Sequence, residues 1–216
     1  MKSTDKFGTE PLGKLLKQQA FPASVGILVM SIYAIVDSIY VGHIVGAEGI
    51  VAITVVLPIT FLISSIGMAI GVGGSSVLSR SLGGQDNEKA YHTFGNQVMM
   101  TITLAVFFVL LGSLFPDEII TFFGGKGGVK EPAVTYFSIV LIGVPFLAWA
   151  MMSNNVIRAE GYPRVAMFAM IIPAISNLML DPVLMIGFDM GIEGAAWATT
   201  ISYIASAAFA FIHFAW

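Results

Sequence analysis

Six uncharged, mostly apolar runs occupy residues 18–36, 49–79, 90–116, 133–157, 165–180 and 194–216 of this 216-residue chain. A helix needs about 20 predominantly apolar residues to cross the hydrocarbon core of a bilayer. Five of the six runs reach or nearly reach that length unaided. The fifth reaches it only if Asp181 is included and the helix extends to about residue 187; the first gains by extending past Asp37 to about residue 42. The runs are too long for membrane strands and lack their alternating pattern. The expected class is therefore an all-α membrane protein with six transmembrane helices. Composition agrees: 11% of residues are charged and mean hydropathy is +0.87, whereas a soluble domain carries about 25% charged residues. Such a chain cannot cover itself with a charged surface, so its main solvent is lipid. There are no cysteines and hence no disulfides. The net charge of -3, without a long basic run, argues against a nucleic-acid partner.

Lysine and arginine set the expected orientation. Six spans put the N-terminal tail and the second and fourth loops on one side, with Lys2, Lys6, Lys14, Lys17, Arg80, Lys89, Arg158 and Arg164. The opposite side has only Lys126 and Lys130. Eight against two places the N-terminus in the cytoplasm. The first run is too long for a signal-peptide core and lacks a small-residue cleavage pattern, so it reads as a retained helix. Residues 1–13 read as a cytoplasmic tail and 14–216 as a six-helix transmembrane unit.

Loops and breakers fit this layout. Residues 80–90 form a polar turn leading into the third span, and residues 158–164 a tight hairpin with Pro163 at the start of the fifth. The loop over residues 116–132 has room for a short interfacial helix. Its Gly124-Gly-Lys-Gly-Gly128 lacks the hydroxyl residue and the preceding strand of a phosphate loop, and reads as a flexible turn. Gly67-Met-Ala-Ile-Gly71 is a small-xxx-small pattern suited to close helix packing. Pro22, Pro58, Pro145, Pro173 and Pro182 fall inside spans, where neighbouring groups can satisfy the carbonyls they free. Pro22 and Pro182 each share a helix with an aspartate.

Those aspartates, Asp37 and Asp181, are the anomaly. A carboxylate at mid-membrane costs roughly 2.5–3.5 kcal/mol on insertion scales, and such residues usually serve function. At a rise of about 1.5 Å per residue, Asp181 lies about 27 Å along the fifth helix and Asp37 about 33 Å along the first. Thr199, on a helix running the other way, is about 8 Å from the outer face. All three fall in the outer half of the membrane and can meet. Asn177 and Tyr33 precede the two aspartates by four residues, on the same helix faces. Two carboxyl groups in contact resist ionising together, so the pair can hold a proton or release it and bind a cation through oxygens. The alternative is that each aspartate is satisfied separately by a backbone or serine donor at a kink, and that Thr199 bonds its own helix. Asn154 and Asn155 sit near the cytoplasmic end of the fourth span and either line a pathway or cap the helix. His43, His92 and His213 are too scattered for a metal site. With no nucleophile motif and no aqueous acid–base pair, nothing points to an enzyme.

Several motifs resemble the multidrug and toxic compound extrusion (MATE) transporters. They are Val36-Asp-Ser-Ile-Tyr-Val-Gly-His43, Arg80-Ser-Leu-Gly-Gly84, Asn177-Leu-Met-Leu-Asp-Pro182 and Gly194-Ala-Ala-Trp-Ala-Thr199. The likeness runs from about residue 12 onward, and the fifth-helix motif is its most specific part. It implies one N-terminal lobe of a proton- or sodium-coupled antiporter in a bacterial inner membrane, exporting organic cations and amphipathic drugs without a cofactor. It implies a cation-coupling cluster of Asp37, Asn177, Asp181 and Thr199, which would hold the sodium ion if sodium is used, with Tyr33 beside it. It further implies a kink at Pro22 and a polar pathway position at Asn154. Family members pair two six-helix lobes, so a second lobe or a second copy is the expected partner. The alternatives are a lipid-linked oligosaccharide flippase of the same wider superfamily, which would favour a strongly basic cavity, or a non-transporting remnant.

Overall fold

The computed structural model describes residues 10–215. Most of the tail at 1–13, with Lys2 and Lys6, and also Trp216, lie outside the described residues. All regular structure among the described residues is helical: α1 (Leu12–Ile44), α2 (Ala47–Gly83), α3 (Asn87–Leu114), α4 (Pro116–Phe122), α5 (Lys130–Ala159), α6 (Pro163–Pro182) and α7 (Gly191–Ala215). A 3₁₀ turn, Gly127–Val129, leads into α5, and a π-helical turn, Val183–Gly187, extends α6. Six helices are long and apolar enough to cross a membrane. The seventh, α4, is the short helix in the loop between the third and fourth spans.

Local signals explain the boundaries. Asp86 caps α3 by accepting from the Lys89 N–H at 3.0 Å, the preferred way to satisfy an orphan first-turn donor. Pro163 opens α6 at a position where a missing N–H costs nothing. Past Pro182 the chain does not stop: the Phe188 N–H reaches the Val183 carbonyl at 3.0 Å, a five-residue bond that widens the turn. That turn carries the fifth span to Gly187. Asp117 and Lys130 close the α4 loop with a 2.7 Å ion pair.

Lipid tails are as apolar as leucine, so helix association rests on close packing of small residues and interhelical hydrogen bonds. α5 is the hub, packed between α2 and α7. Gly67 and Gly71 let α2 approach α5 closely: a Cβ on Gly67 would lie 3.1 Å from the Ala148 carbonyl oxygen, and one on Gly71 3.0 Å from that of Met152. The buried face of α7 is built of glycine, alanine, serine and threonine. The main core packs Val56, Ile63, Phe137, Val140 and Val144 with Met185 of the π turn. A smaller core of Leu78, Met152 and Val156 lies toward the end bearing Arg80 and Arg158.

α1 differs from the rest. Only Pro22, Gly26 and Val41 are buried along its 33 residues. Its principal neighbour is α6, where Gly26 lies against Met170. The helix bearing Asp37 is thus the one least held by the bundle, and its main support is the helix bearing Asp181.

Candidate functional site

Asn177 and Asp181 lie one turn apart on the buried face of α6, both essentially without solvent exposure. Thr199, about two turns into α7, is buried opposite them. With the Asn177 amide nitrogen turned to the carboxylate, Nδ2 donates to Asp181 Oδ2 at 2.9 Å and Oδ1 accepts from the Thr199 N–H at 3.2 Å. The opposite amide orientation instead directs Nδ2 to Thr199 Oγ1 at 3.4 Å. Amide orientation follows the hydrogen-bond network, and an ionised Asp181 selects the first arrangement.

Asp37 of α1 lies near enough to Asp181 of α6 for the two carboxyls to interact. Two neighbouring buried carboxyls resist ionising together, so the arrangement favours a proton on one of them. Each aspartate also has one buried oxygen, Oδ1, without a hydrogen-bond partner among the described residues. No lysine, arginine or histidine among the described residues pairs with either one.

The structure therefore brings together Asp37, Asn177, Asp181 and Thr199. Tyr33 lies near both carboxyls. Tyr136 of α5 completes the far wall: its hydroxyl lies 3.5 Å from Thr199 Oγ1, and its ring is buried. Tyr203 stands one turn beyond Thr199 and lies near Asp37. Sequence reasoning missed these two tyrosines. Tyr136 is six residues into α5 from its N-terminal end, about 9 Å along at the helical rise. The depth count that selected Thr199 would have selected it too.

Two other expected residues are elsewhere. Pro22 is 15 residues before Asp37 on α1, about 22 Å along the axis. Asn154 donates through Nδ2 to the Ala166 carbonyl at 2.7 Å, joining α5 to the first turns of α6. The structure gives Asn154 an interhelical bond and does not bring it to the cluster.

Chemically, the cluster is a buried set of hard oxygen donors: two carboxyls, an amide and hydroxyls. Oxygen sets of this kind suit protons and hard cations rather than thiophilic metals. No group of three or more histidine, cysteine or acidic side chains suited to a metal ion occurs among the described residues.

Comparison with known proteins places this geometry. Residues 22–183 match the family model described as MatE. The multidrug export protein MepA of Staphylococcus aureus (strain NCTC 8325 / PS 47) is 30% identical over 96% of this chain and 46% of its own length. The chain thus spans about half the length of the curated relatives it matches. A crystal structure of MATE in the straight conformation superposes with a TM-score of 0.91 at 25% identity, over 99% of this chain and 47% of the other. One of MATE in the bent conformation gives 0.89 at 27% identity, over 97% and 46%. The six apolar helices make a multi-pass membrane protein with the architecture of half a MATE transporter, and the chain belongs to the MatE family.

Proposed function

We propose that this chain is the N-terminal lobe of a multidrug efflux antiporter and that the Asp37–Asp181 pair couples a proton or sodium ion to export. The observation that carries this reading is the pairing of neighbouring carboxyls on the least anchored helix and its main neighbour. While a proton is shared, the contact holds α1 to α6. Once both groups ionise, unit charges about 4 Å apart repel by on the order of 4 kcal/mol at an effective dielectric of 20. Sodium between them, held also by Asn177 and Thr199 oxygens, would restore the contact by a different route. Either event biases the position of α1, a two-state element of the kind that alternating access needs.

The substrate is taken to be an organic cation or amphipathic drug, in line with the multidrug export described for the S. aureus relatives. No lysine or arginine occurs in the middle of any apolar run, which fits cationic cargo better than a polyanionic lipid-linked sugar. The working unit pairs this lobe with a second one, or with another copy. The basic ends at Lys14, Lys17, Arg80, Lys89, Arg158 and Arg164 face the cytoplasm of a bacterial inner membrane.

The test is drug efflux from energised vesicles carrying the natural full-length protein with Asp181→Asn or Asp37→Asn. Coupled efflux is expected to fall to background in both, with membrane insertion retained. Undiminished export by either variant overturns the proposal. Labelling of the carboxyls by a hydrophobic carbodiimide, which needs a protonated acid, separates the ions. Protection by sodium at constant pH assigns sodium; protection only by raised pH assigns the proton.

A further inference from the structure

At the end of the bundle opposite the aspartates, a groove of about 1200 Å³ opens between the first turns of α1 and the α5–α6 hairpin. One wall is a single stripe of α1: Lys14, Lys17, Gln18 and Phe21, spaced so that all four share a helix face. The other wall holds Tyr162 and Arg164 at the start of α6. That helix start has no side-chain cap, so its first-turn N–H groups and the positive end of its dipole face the groove unopposed. Lys14 is the only one of the three cations with an acidic partner among the described residues, Glu10 at 3.1 Å. Glu10 also accepts from Gln18 at 3.1 Å. Three cations against one carboxylate leave the groove net positive. Its apolar lining comes from Phe21, which is 71% exposed, with Pro22 and Val165.

From these features we infer that the groove binds the headgroup of an anionic phospholipid, with Lys17 and Arg164 as the principal phosphate ligands and Phe21 against the acyl chains. A soluble anion would use the cations alone. A groove that sets Lys17 and Arg164 beside exposed Phe21 matches a molecule with a phosphate at one end and hydrocarbon at the other. Basic pockets between transmembrane helices at a membrane surface recognise anionic lipids by this chemistry. The cytoplasmic placement expected for the basic end puts the lipid in the inner leaflet. The bound lipid would bridge α1 and α6, the two helices whose far ends carry Asp37 and Asp181.

The test is native mass spectrometry of the full-length protein released from nanodiscs containing phosphatidylglycerol and phosphatidylcholine in equal amounts. Wild-type protein is expected to retain phosphatidylglycerol at least fivefold over phosphatidylcholine. The double variant Lys17→Ala/Arg164→Ala should lose that preference, and Lys17→Arg/Arg164→Lys should keep it, which distinguishes lost charge from lost folding. Lys89→Ala, at the same end of the bundle but outside the groove, should behave as wild type. Equal retention by the double alanine variant overturns the assignment, as does an equal loss in Lys89→Ala, which would mean diffuse surface attraction. Displacement of the lipid by millimolar inorganic phosphate also overturns it, in favour of a soluble anion. The readout is independent of transport, so failure of the export proposal leaves it standing.

Discussion

Ser206 of α7 donates its hydroxyl to the backbone carbonyl of Ala169 at 2.8 Å, and that carbonyl is the one Pro173 leaves without a helical donor. Pro173 lies inside α6 and has no N–H to offer the residue four before it. A proline is tolerated in a membrane helix when a neighbouring helix supplies the missing bond, and here a serine on the adjacent helix does so. Ser206→Ala is expected to lower stability by about 1–2 kcal/mol, since it orphans a buried carbonyl. Pro173→Ala restores the intrahelical donor and should make Ser206→Ala nearly neutral. Thermal unfolding in detergent of the two single variants and the double variant measures the coupling; additive effects would show that the serine does not serve the proline.

Gly194 sets the position of Thr199. A Cβ at Gly194 would lie 2.9 Å from the Leu184 carbonyl carbon and 2.9 Å from the Met185 nitrogen. Both are backbone atoms of the π turn, which cannot step aside as a side chain can. Gly194→Ala therefore pushes the start of α7 away from α6, and with it Thr199 away from Asn177. The expected cost is about 1–3 kcal/mol, as for overpacking elsewhere, together with weakened ion-coupled efflux. Gly73→Ala, where a Cβ meets nothing within 4 Å, is the matched control. A Gly194→Ala protein with unchanged melting temperature and efflux would refute the prediction.

Tyr136 and Thr199 are a second, separable link. The 3.5 Å hydroxyl contact is long, so Tyr136→Phe should change stability by less than about 1 kcal/mol. If the hydroxyl helps hold Thr199 toward the carboxyl pair, the same variant should shift the pH or sodium dependence of efflux while leaving drug binding intact. Efflux measured over a pH and sodium series, with drug affinity measured in parallel, distinguishes this from simple loss of packing. An unaltered dependence removes Tyr136 from the coupling machinery.

Spans and breaks were legible because each has a local cause. Uncharged length marks a membrane helix and Pro163 marks a helix start, and the structure has both. The continuation of the fifth span to Gly187 was also legible, because Asp181 alone could not end so short a run. What remained hidden depended on rotation and partner choice. Nothing in the α5 sequence says that Tyr136 faces Thr199 rather than lipid. The bond from Asn154 to Ala166 depends on two helix starts meeting at one level. The short spacing from Asn177 to Asp181 was readable because one helix turn fixes both side chains, whereas Tyr203 is joined to Asp37 only through the packing of α7 and α1.

Gln97 and Gly74 make the last case, a polar side chain seated where a neighbouring helix has none. Gln97 of α3 is buried and donates through Nε2 to the Ile70 carbonyl at 3.0 Å and the Gly71 carbonyl at 3.3 Å. Its amide lies across Gly74 of α2, so that a Cβ there would overlap the Gln97 side chain. The glycine is thus required by volume, and the glutamine is held by two carbonyls that already belong to a helix. Interhelical bonds of this kind contribute about 0.6 kcal/mol on average and reach about 1.7, less than the overpacking that a methyl at Gly74 would impose. Gly74→Ala should therefore destabilise more than Gln97→Ala. Combining the two should recover most of the loss, because the truncated side chain vacates the space the methyl needs. Unfolding midpoints for both single variants and the double variant decide it: a double variant less stable than Gly74→Ala alone would mean that the glutamine's bonds, not its bulk, dominate this contact.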